Sequence, residues 1–310
     1  MRRSTKKSPA QLSHLSTEQP NRAAKNLDLK SSLEIASIIN AQDAKVATAV
    51  KRALPQIARA IDLIAKALEQ GGRLIYVGTG TSGRLGALDA SGCPPTFNTD
   101  PKTVQFIIAG GIKALYAATE ASEDSSELGQ REMARKKPGK NDVVVGIAAS
   151  GRTPFTIAAI EYARRHGAKT IAVTCNAASP LEKAAHLAIV AAVGPEVIAG
   201  SSRMKAGSAQ KMILNMLSSG AMTRMGYVYG NLMINVRGKN FKLRERGLTI
   251  LQQAAGITRE AAEQALQAAG DNVPIALVML EANVSRTQAA RSLKSTHGHV
   301  RHAITVATKR

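Results

Sequence analysis

The chain has 310 residues, 42 Lys and Arg against 22 Asp and Glu, and a formal net charge of +20. Apolar residues make up 44 %, enough for a substantial core, but with no Trp, four Phe and five Tyr that core must be built from Ala, Val, Ile, Leu and Met. The length suits one large domain plus a smaller one, and no apolar run approaches the ~20 residues that a membrane span requires.

Residues 1–15 mix Lys, Arg, Ser and Pro without periodicity and read as a disordered tail, with no apolar segment that would make them a secretory signal. An N-terminal helical segment follows over 16–62. Leu33, Ile35, Ile38 and Ile39 form one apolar group, and a break is expected near Asn40–Asp43. Val46, Val50, Leu54, Ile57, Ile61, Ile64 and Leu68 then recur at three- and four-residue spacing, the stripe of an amphipathic helix. Pro55 is expected to kink or restart that helix, and Gly71-Gly72 ends it.

Over 63–226 short apolar runs alternate with helical stretches. RLIYVG (73–78), VQFIIA (104–109), DVVVGIA (142–148), KTIAVTC (169–175) and LAIVAAV (187–193) are rich in β-branched residues and apolar throughout. Strands covered on both faces have this composition. Helices are expected over Ala114–Glu123, Pro154–His166 and Pro180–Ala185, then over Met204–Met222. The alternation implies right-handed βαβ units and a doubly wound, five-stranded parallel sheet, an α/β fold. Residues 245–303 read as a separate three-helix module, with Thr258 opening one helix and Ser285 capping another.

Ligands of doubly wound sheets bind beyond the carboxyl ends of the strands. Directly after the first strand comes GTGTSGRLG (78–86), with Thr79, Gly80, Ser82, Gly83 and Arg84. Glycines admit close approach, hydroxyls donate hydrogen bonds, and the next helix offers free N–H groups and a positive dipole end. The loop lacks the G-K-[ST] ending of a P-loop, and no acidic residue closes the second strand as a dinucleotide fold requires. After the third strand comes AASGRTP (148–154), with Ser150, Gly151, Arg152 and Thr153. A third stretch, GSSRMKAG (200–207), holds Ser201, Ser202 and Lys205. Any one of these could be only a turn or a cap. Three hydroxyl-rich loops on one sheet point to a shared anionic ligand, with Thr79, Ser82, Ser150 and Thr153 as its principal holders.

The paired loops G-x-G-x-S and S-G-x-T resemble a sugar isomerase (SIS) domain, which binds phosphosugars. GTGTSGRLGALDAS (78–91) with CPPTF (93–97), VVVGIAASGRTPF (143–155), GSSRMKAGSAQK (200–211), NMLSSGAM (215–222) and TEQPNRAAKNLD (17–28) are more narrowly similar to the N-acetylmuramic acid 6-phosphate etherase family. The resemblance spans about residues 16–300. It implies a flavodoxin-like SIS fold, a homodimer, a cytoplasmic location, no metal or other cofactor, and a phosphorylated amino sugar as substrate. The implied reaction splits the D-lactyl ether, by elimination and then water addition, to N-acetylglucosamine 6-phosphate and D-lactate in cell-wall amino-sugar recycling.

That chemistry needs one carboxylate base and one carboxylic acid. The resemblance places the base at Glu123, whose acidic neighbours Glu120 and Asp124 would otherwise suggest a solvated helix face. The family pattern D-A-S-E-C-P-P-T reads Asp89-Ala90-Ser91-Gly92-Cys93-Pro94-Pro95-Thr96 here, with Gly92 in the position of the acid. Three readings follow from Gly92: an impaired natural enzyme that uses water or a neighbour such as Asp89, a sequence altered to trap substrate, or a phosphosugar-binding or regulatory SIS protein without catalysis. Phosphosugar isomerisation suits the fold but not the etherase-specific motifs.

Cys93 and Cys175 are far apart and lack zinc-ligand spacing, so neither a disulfide framework nor a metal site is expected. The +20 charge invites a nucleic-acid partner, but the longest basic run is RRSTKK (2–7) and no RNA-binding aromatic motif is present. No specific nucleic-acid binding is expected; the charge suits attraction of small anions better.

Overall fold

The structure, a computed structural model, describes residues 15–117, 122–235 and 241–309. The tail read over 1–15 falls outside them except for Leu15, as does Glu120. Two compact units are present: the described residues up to Ala90 with Val104–Leu217, and Ser91–Thr103 with the described residues from Ser218 onward.

Helix α1 (Ser32–Arg52) opens with a capping box, in which the Ser31 side chain and the Glu34 carboxylate each bond the other's backbone N–H. It runs straight through Asn40–Asp43, where the sequence suggested a break. Asn40 and Asp43 are weak helix formers rather than breakers, Ala41 and Gln42 are good ones, and all but Gln42 face solvent. The interruption comes at Ala53, and α2 (Leu54–Glu69) begins with Pro55 in its first turn. Proline lacks the N–H needed to continue a helix but suits the start of one. Val46, Val50, Ile57 and Ile64 are buried, as the stripe requires.

The five strands are β1 (Leu74–Gly78), β2 (Val104–Ile108), β3 (Val143–Ile147), β4 (Lys169–Thr174) and β5 (Leu187–Val190). All pairings are parallel, in the order β2-β1-β3-β4-β5. This is the flavodoxin-like order, whose topological switch lies between the first and third strands. Register pairs Gly78 with Ile147, so the loops after β1 and β3 start side by side.

Between the strands lie α3 (Gly80–Phe97), α4 (Ser126–Lys136), α5 (Pro154–Arg165) and α6 (Pro180–Ala184); α7 (Lys205–Arg224) follows β5. The helix expected over Ala114–Glu123 is instead a 3₁₀ turn over Gly111–Leu115, and residues 118–121 are outside the described ones. Helix α4 comes later, capped by the Ser125 hydroxyl accepting from Leu128 N–H.

The amino end of β3 is pinned by Asp142, which takes Arg73 Nη2 at 2.6 Å and the Arg73 and Gly139 N–H groups at 2.9 Å each. Burial alone would raise the Asp142 carboxyl, but the guanidinium and these N–H groups outweigh it and hold it below its ordinary value. A depressed folded-state value means that the unfolded chain takes up the proton first. The stabilisation is therefore complete above the ordinary carboxylate range and is lost as pH falls below it, through the depressed folded-state value. Urea midpoints measured from pH 7 to pH 3 should fall more steeply for the native chain than for Asp142→Asn, which should already be about 1–3 kcal/mol less stable at pH 7.

In the second unit, α8 (Phe241–Ala255), α9 (Arg259–Ala268), α10 (Val273–Ala282), α11 (Arg286–Ser295) and α12 (Val300–Thr308) pack around Leu248, Leu251, Leu266, Leu277 and Val300. The module thus holds five helices where three were expected. Thr258 and Ser285 act as the caps read from the sequence, Ser285 in a full capping box with Gln288.

Candidate functional site

Helix α3 starts at the second residue beyond β1, so its first N–H groups open directly onto the carboxyl edge of the sheet. Two glycines make this possible. A side chain on Gly83 would stand 2.6 Å from Ile108 Cγ1 and 2.8 Å from the Gly78 carbonyl oxygen, which shows how tightly the helix sits on the sheet. Gly80 has φ of +48°, and a Cβ there would be 3.2 Å from Glu123 Oε1. The Glu123 carboxylate therefore stands over the first residue of α3.

The position of Glu123 is fixed from several sides. Its carbonyl oxygen accepts the Phe155 N–H at 3.1 Å, in the first turn of α5, and the α4 cap Ser125 lies two residues on. Arg84, on α3, donates from Nε to the Ala114 and Leu115 carbonyls at 2.9 and 3.2 Å, and from Nη2 to the Ala117 carbonyl at 3.0 Å. It braces the segment that leads towards Glu123.

In the loop after β3, the Ser150 hydroxyl accepts the Arg152 N–H at 3.2 Å, and Gly151 has φ of +66°. A Cβ on Gly151 would collide with the Ser179 side chain. Thr153 caps α5 by position, but its hydroxyl makes no capping bond, which leaves it for a ligand.

The start of α7 is differently employed. Fully buried Glu196 accepts the Lys205 and Ala206 N–H groups at 2.9 Å each, so this helix terminus already has its anion. Lys205 is itself buried, and its Nζ donates to the Val193 carbonyl at 2.8 Å and to Gln42 Oε1 at 3.4 Å. Burial lowers its ammonium below the ordinary value, only partly opposed by Glu196. Burial, reinforced by Glu196, pushes the Cys175 thiol up to about 12, which leaves it protonated and inert at neutral pH.

These elements enclose a cavity of about 400 Å³. Thr79 lines it from the turn after β1, Gly80, Ser82 and Arg84 from α3, Ser150 and Thr153 from the β3 loop, Ser201 and Ser202 from the stretch before α7, and Glu123 from the segment before α4. Of the residues singled out in the sequence, Gly83, Gly92, Gly151, Arg152 and Lys205 are not on its wall. Gly83 and Gly151 act through packing, and Lys205 turns inward. Asp89, read from the sequence as a substitute for the missing acid, is buried, and its two oxygens accept from Tyr76 Oη and Asn215 Nδ2 at 2.7 Å each. It is part of the core. Sequence reasoning missed Glu18 and Arg203, which do line the cavity. The TEQPN element gave the signal for Glu18, since a carboxylate beside a buried Thr has to face something.

Two family models match: the glucokinase regulatory protein N-terminal SIS domain over residues 56–164, and the SIS domain over residues 119–219. Among solved structures, the phosphoheptose isomerase of Neisseria gonorrhoeae superposes with a TM-score of 0.50 at 14% identity, over 62% of this chain and 100% of that one, a likeness of fold. Curated relatives are much closer. The N-acetylmuramic acid 6-phosphate etherase of Symbiobacterium thermophilum is 55% identical over 88% of this chain and 91% of its own length. That of Photorhabdus laumondii is 49% identical over 94% and 97%, and that of Clostridium beijerinckii 46% over 94% and 96%. At this identity along nearly the whole of both sequences, the chain belongs to the N-acetylmuramic acid 6-phosphate etherase family.

Proposed function

We propose that the chain cleaves the D-lactyl ether of N-acetylmuramic acid 6-phosphate, giving N-acetylglucosamine 6-phosphate and D-lactate. The observation that carries this reading is the Glu123 carboxylate standing over the start of α3, in a cavity whose wall is rich in hydroxyls and helix N–H groups. The hydroxyls of Thr79, Ser82, Ser150 and Thr153, with the free N–H groups of α3, take the phosphate. Ser201, Ser202 and Arg203 contact the rest of the sugar. Arg84 is a positioning residue, since its donors hold the 114–117 segment.

With the phosphate fixed, the sugar in its open-chain form presents an aldehyde that acidifies the proton on C2. Glu123 removes that proton. The C3–O bond breaks, an acid protonates the departing lactate oxygen, and a C2–C3 double bond remains. Water then adds its oxygen to C3, and Glu123 returns the proton to C2. The protein ends in its starting state, and no metal or cofactor enters. The net charge of +20 helps concentrate such an anion near the protein. The reading includes a homodimer in the cytoplasm, without a specific nucleic-acid partner, serving cell-wall amino-sugar recycling.

Gly92 stands where the family motif resembled above carries the acid, so turnover is impaired rather than abolished. A Cβ added at Gly92 meets no atom within 4 Å, and the residue lies on α3 with an exposed side. Gly92→Glu should fold without penalty, because Gly is about 1 kcal/mol poorer than most residues inside a helix. It should raise the rate of D-lactate release about tenfold or more. Lactate assays on both proteins, alongside calorimetry of substrate binding, test the reading. Tight binding by both without lactate from either would replace it with a phosphosugar-binding protein.

A further inference from the structure

The cavity contains a second carboxylate besides Glu123, supplied by the far N-terminal end of the described chain. The path of that segment is fixed at both sides of Glu18. Thr17 is buried, and Asn176 Nδ2, just beyond β4, donates to Thr17 Oγ1 at 3.2 Å and to the Ala149 carbonyl at 3.0 Å. Ser16 Oγ donates to Asn176 Oδ1 at 3.1 Å. Three residues on from Glu18, Asn21 Nδ2 donates to Gln42 Oε1 at 3.1 Å and to the Pro195 carbonyl at 3.0 Å. Glu18 is thus carried across the carboxyl ends of the strands. Its Oε2 lies 3.1 Å from where a Cβ of Gly200 would be, and Gly200, with φ of +78°, leaves the space for it. A segment pinned so tightly delivers one acidic side chain into a cavity otherwise built for an anion. Phosphate binding alone gives no reason for that choice.

Eliminating an ether needs a proton at the leaving oxygen as well as a base at carbon, and one carboxylate cannot do both in the same step. Glu123 serves as the base in the reading above, on which this inference rests. Asp89 is held in the core by Tyr76 and Asn215. Among the described residues that line the cavity, Glu18 is the remaining carboxyl group. We propose that Glu18 is the proton donor in this chain. Its carboxylic acid gives a proton to the ether oxygen as the C3–O bond breaks, and lactate leaves as the neutral alcohol at that oxygen. The resulting carboxylate then takes a proton from the incoming water as its oxygen bonds to C3. Glu18 is thereby restored to the acid form and Glu123 to the carboxylate.

A double-mutant cycle tests the assignment. Glu18→Gln should lower kcat for lactate release about 10²-fold while KM changes less than about threefold. In the Gly92→Glu background, where a second acid is supplied, Glu18→Gln should cost less than about threefold. Glu18→Gln should still exchange the substrate C2 proton with D2O, since the base is intact, and Glu123→Gln should not. The assignment is overturned if Glu18→Gln leaves kcat unchanged, if it raises KM alone as a sugar contact would, or if it loses C2 exchange. Failure of both the native chain and Gly92→Glu to release lactate would overturn the etherase reading itself. Lactate release that is indifferent to position 18 overturns only the role of Glu18. Circular dichroism on Glu18→Gln and Glu18→Ala confirms that the measured protein is folded.

Discussion

Glu123→Gln is expected to remain folded, to bind substrate, and to release D-lactate about 10²–10⁴ times more slowly than the native chain. The fold should survive because the tertiary anchor of this residue is its backbone, whose carbonyl takes the Phe155 N–H, while the side chain projects over Gly80 into the cavity. Binding should survive because the proposed phosphate holders are in the turn after β1, on α3 and in the β3 loop, and none depends on the Glu123 carboxylate. The amide is isosteric but cannot take up a proton at C2. A KM within a few-fold of native, combined with a collapsed kcat and no C2 exchange in D2O, is therefore the expected signature. A kcat reduced less than about tenfold would show that the base is elsewhere.

The largest expected effect on stability is at Glu196. Its carboxylate is fully buried, satisfies two N–H groups at the start of α7, and supplies negative charge near the buried Lys205 ammonium. Glu196→Ala leaves those donors unpaired and the cation without compensation, at a cost of about 3–5 kcal/mol. Part of that loss should return in Glu196→Ala/Lys205→Met, where the buried charge has also been removed. The Ser201–Arg203 stretch adjoins this helix start, so substrate affinity should weaken in step. Urea denaturation read by circular dichroism measures both variants. A loss below about 1 kcal/mol for Glu196→Ala would mean that the carboxylate is not what holds the start of α7.

The sheet and its ligand-binding edge were legible in the sequence for a physical reason. Strands buried along their whole length, as β1 and β3 are, must be almost wholly apolar, and even the less covered edge strands β2 and β5 stood out as short apolar runs. The loops beyond β1 and β3 were legible because close approach to an anion demands Gly, Ser and Thr together. Helix boundaries fared less well. The expected break at Asn40–Asp43 did not occur, because polar residues on a solvated face do not end a helix, whereas Pro55 does restart one. Helix α4 escaped notice because SELGQREMARK is mostly polar and buries only Gly129 and Met133. The C-terminal module was undercounted because its helices, mostly about ten residues long, are separated by short breaks.

Lys205 and Glu18 were misjudged for a common cause. Which way a side chain points is set by tertiary partners distant in sequence. Lys205 reads as a basic residue beside a hydroxyl-rich loop, yet Val193 and Gln42 draw its ammonium inward. Glu18 reads as part of an N-terminal motif, yet Thr17 meets Asn176, 159 residues away, and this places Glu18 in the cavity. Position 92 shows the converse, since the missing carboxyl group was visible only as a departure from a motif.

The most direct measurement is to incubate the native chain and Gly92→Glu with N-acetylmuramic acid 6-phosphate in H₂¹⁸O and to weigh both products. Elimination followed by water addition at C3 puts the label in N-acetylglucosamine 6-phosphate and leaves D-lactate unlabelled, with faster release from Gly92→Glu. Label in the lactate, or no lactate from either folded protein, would contradict the account.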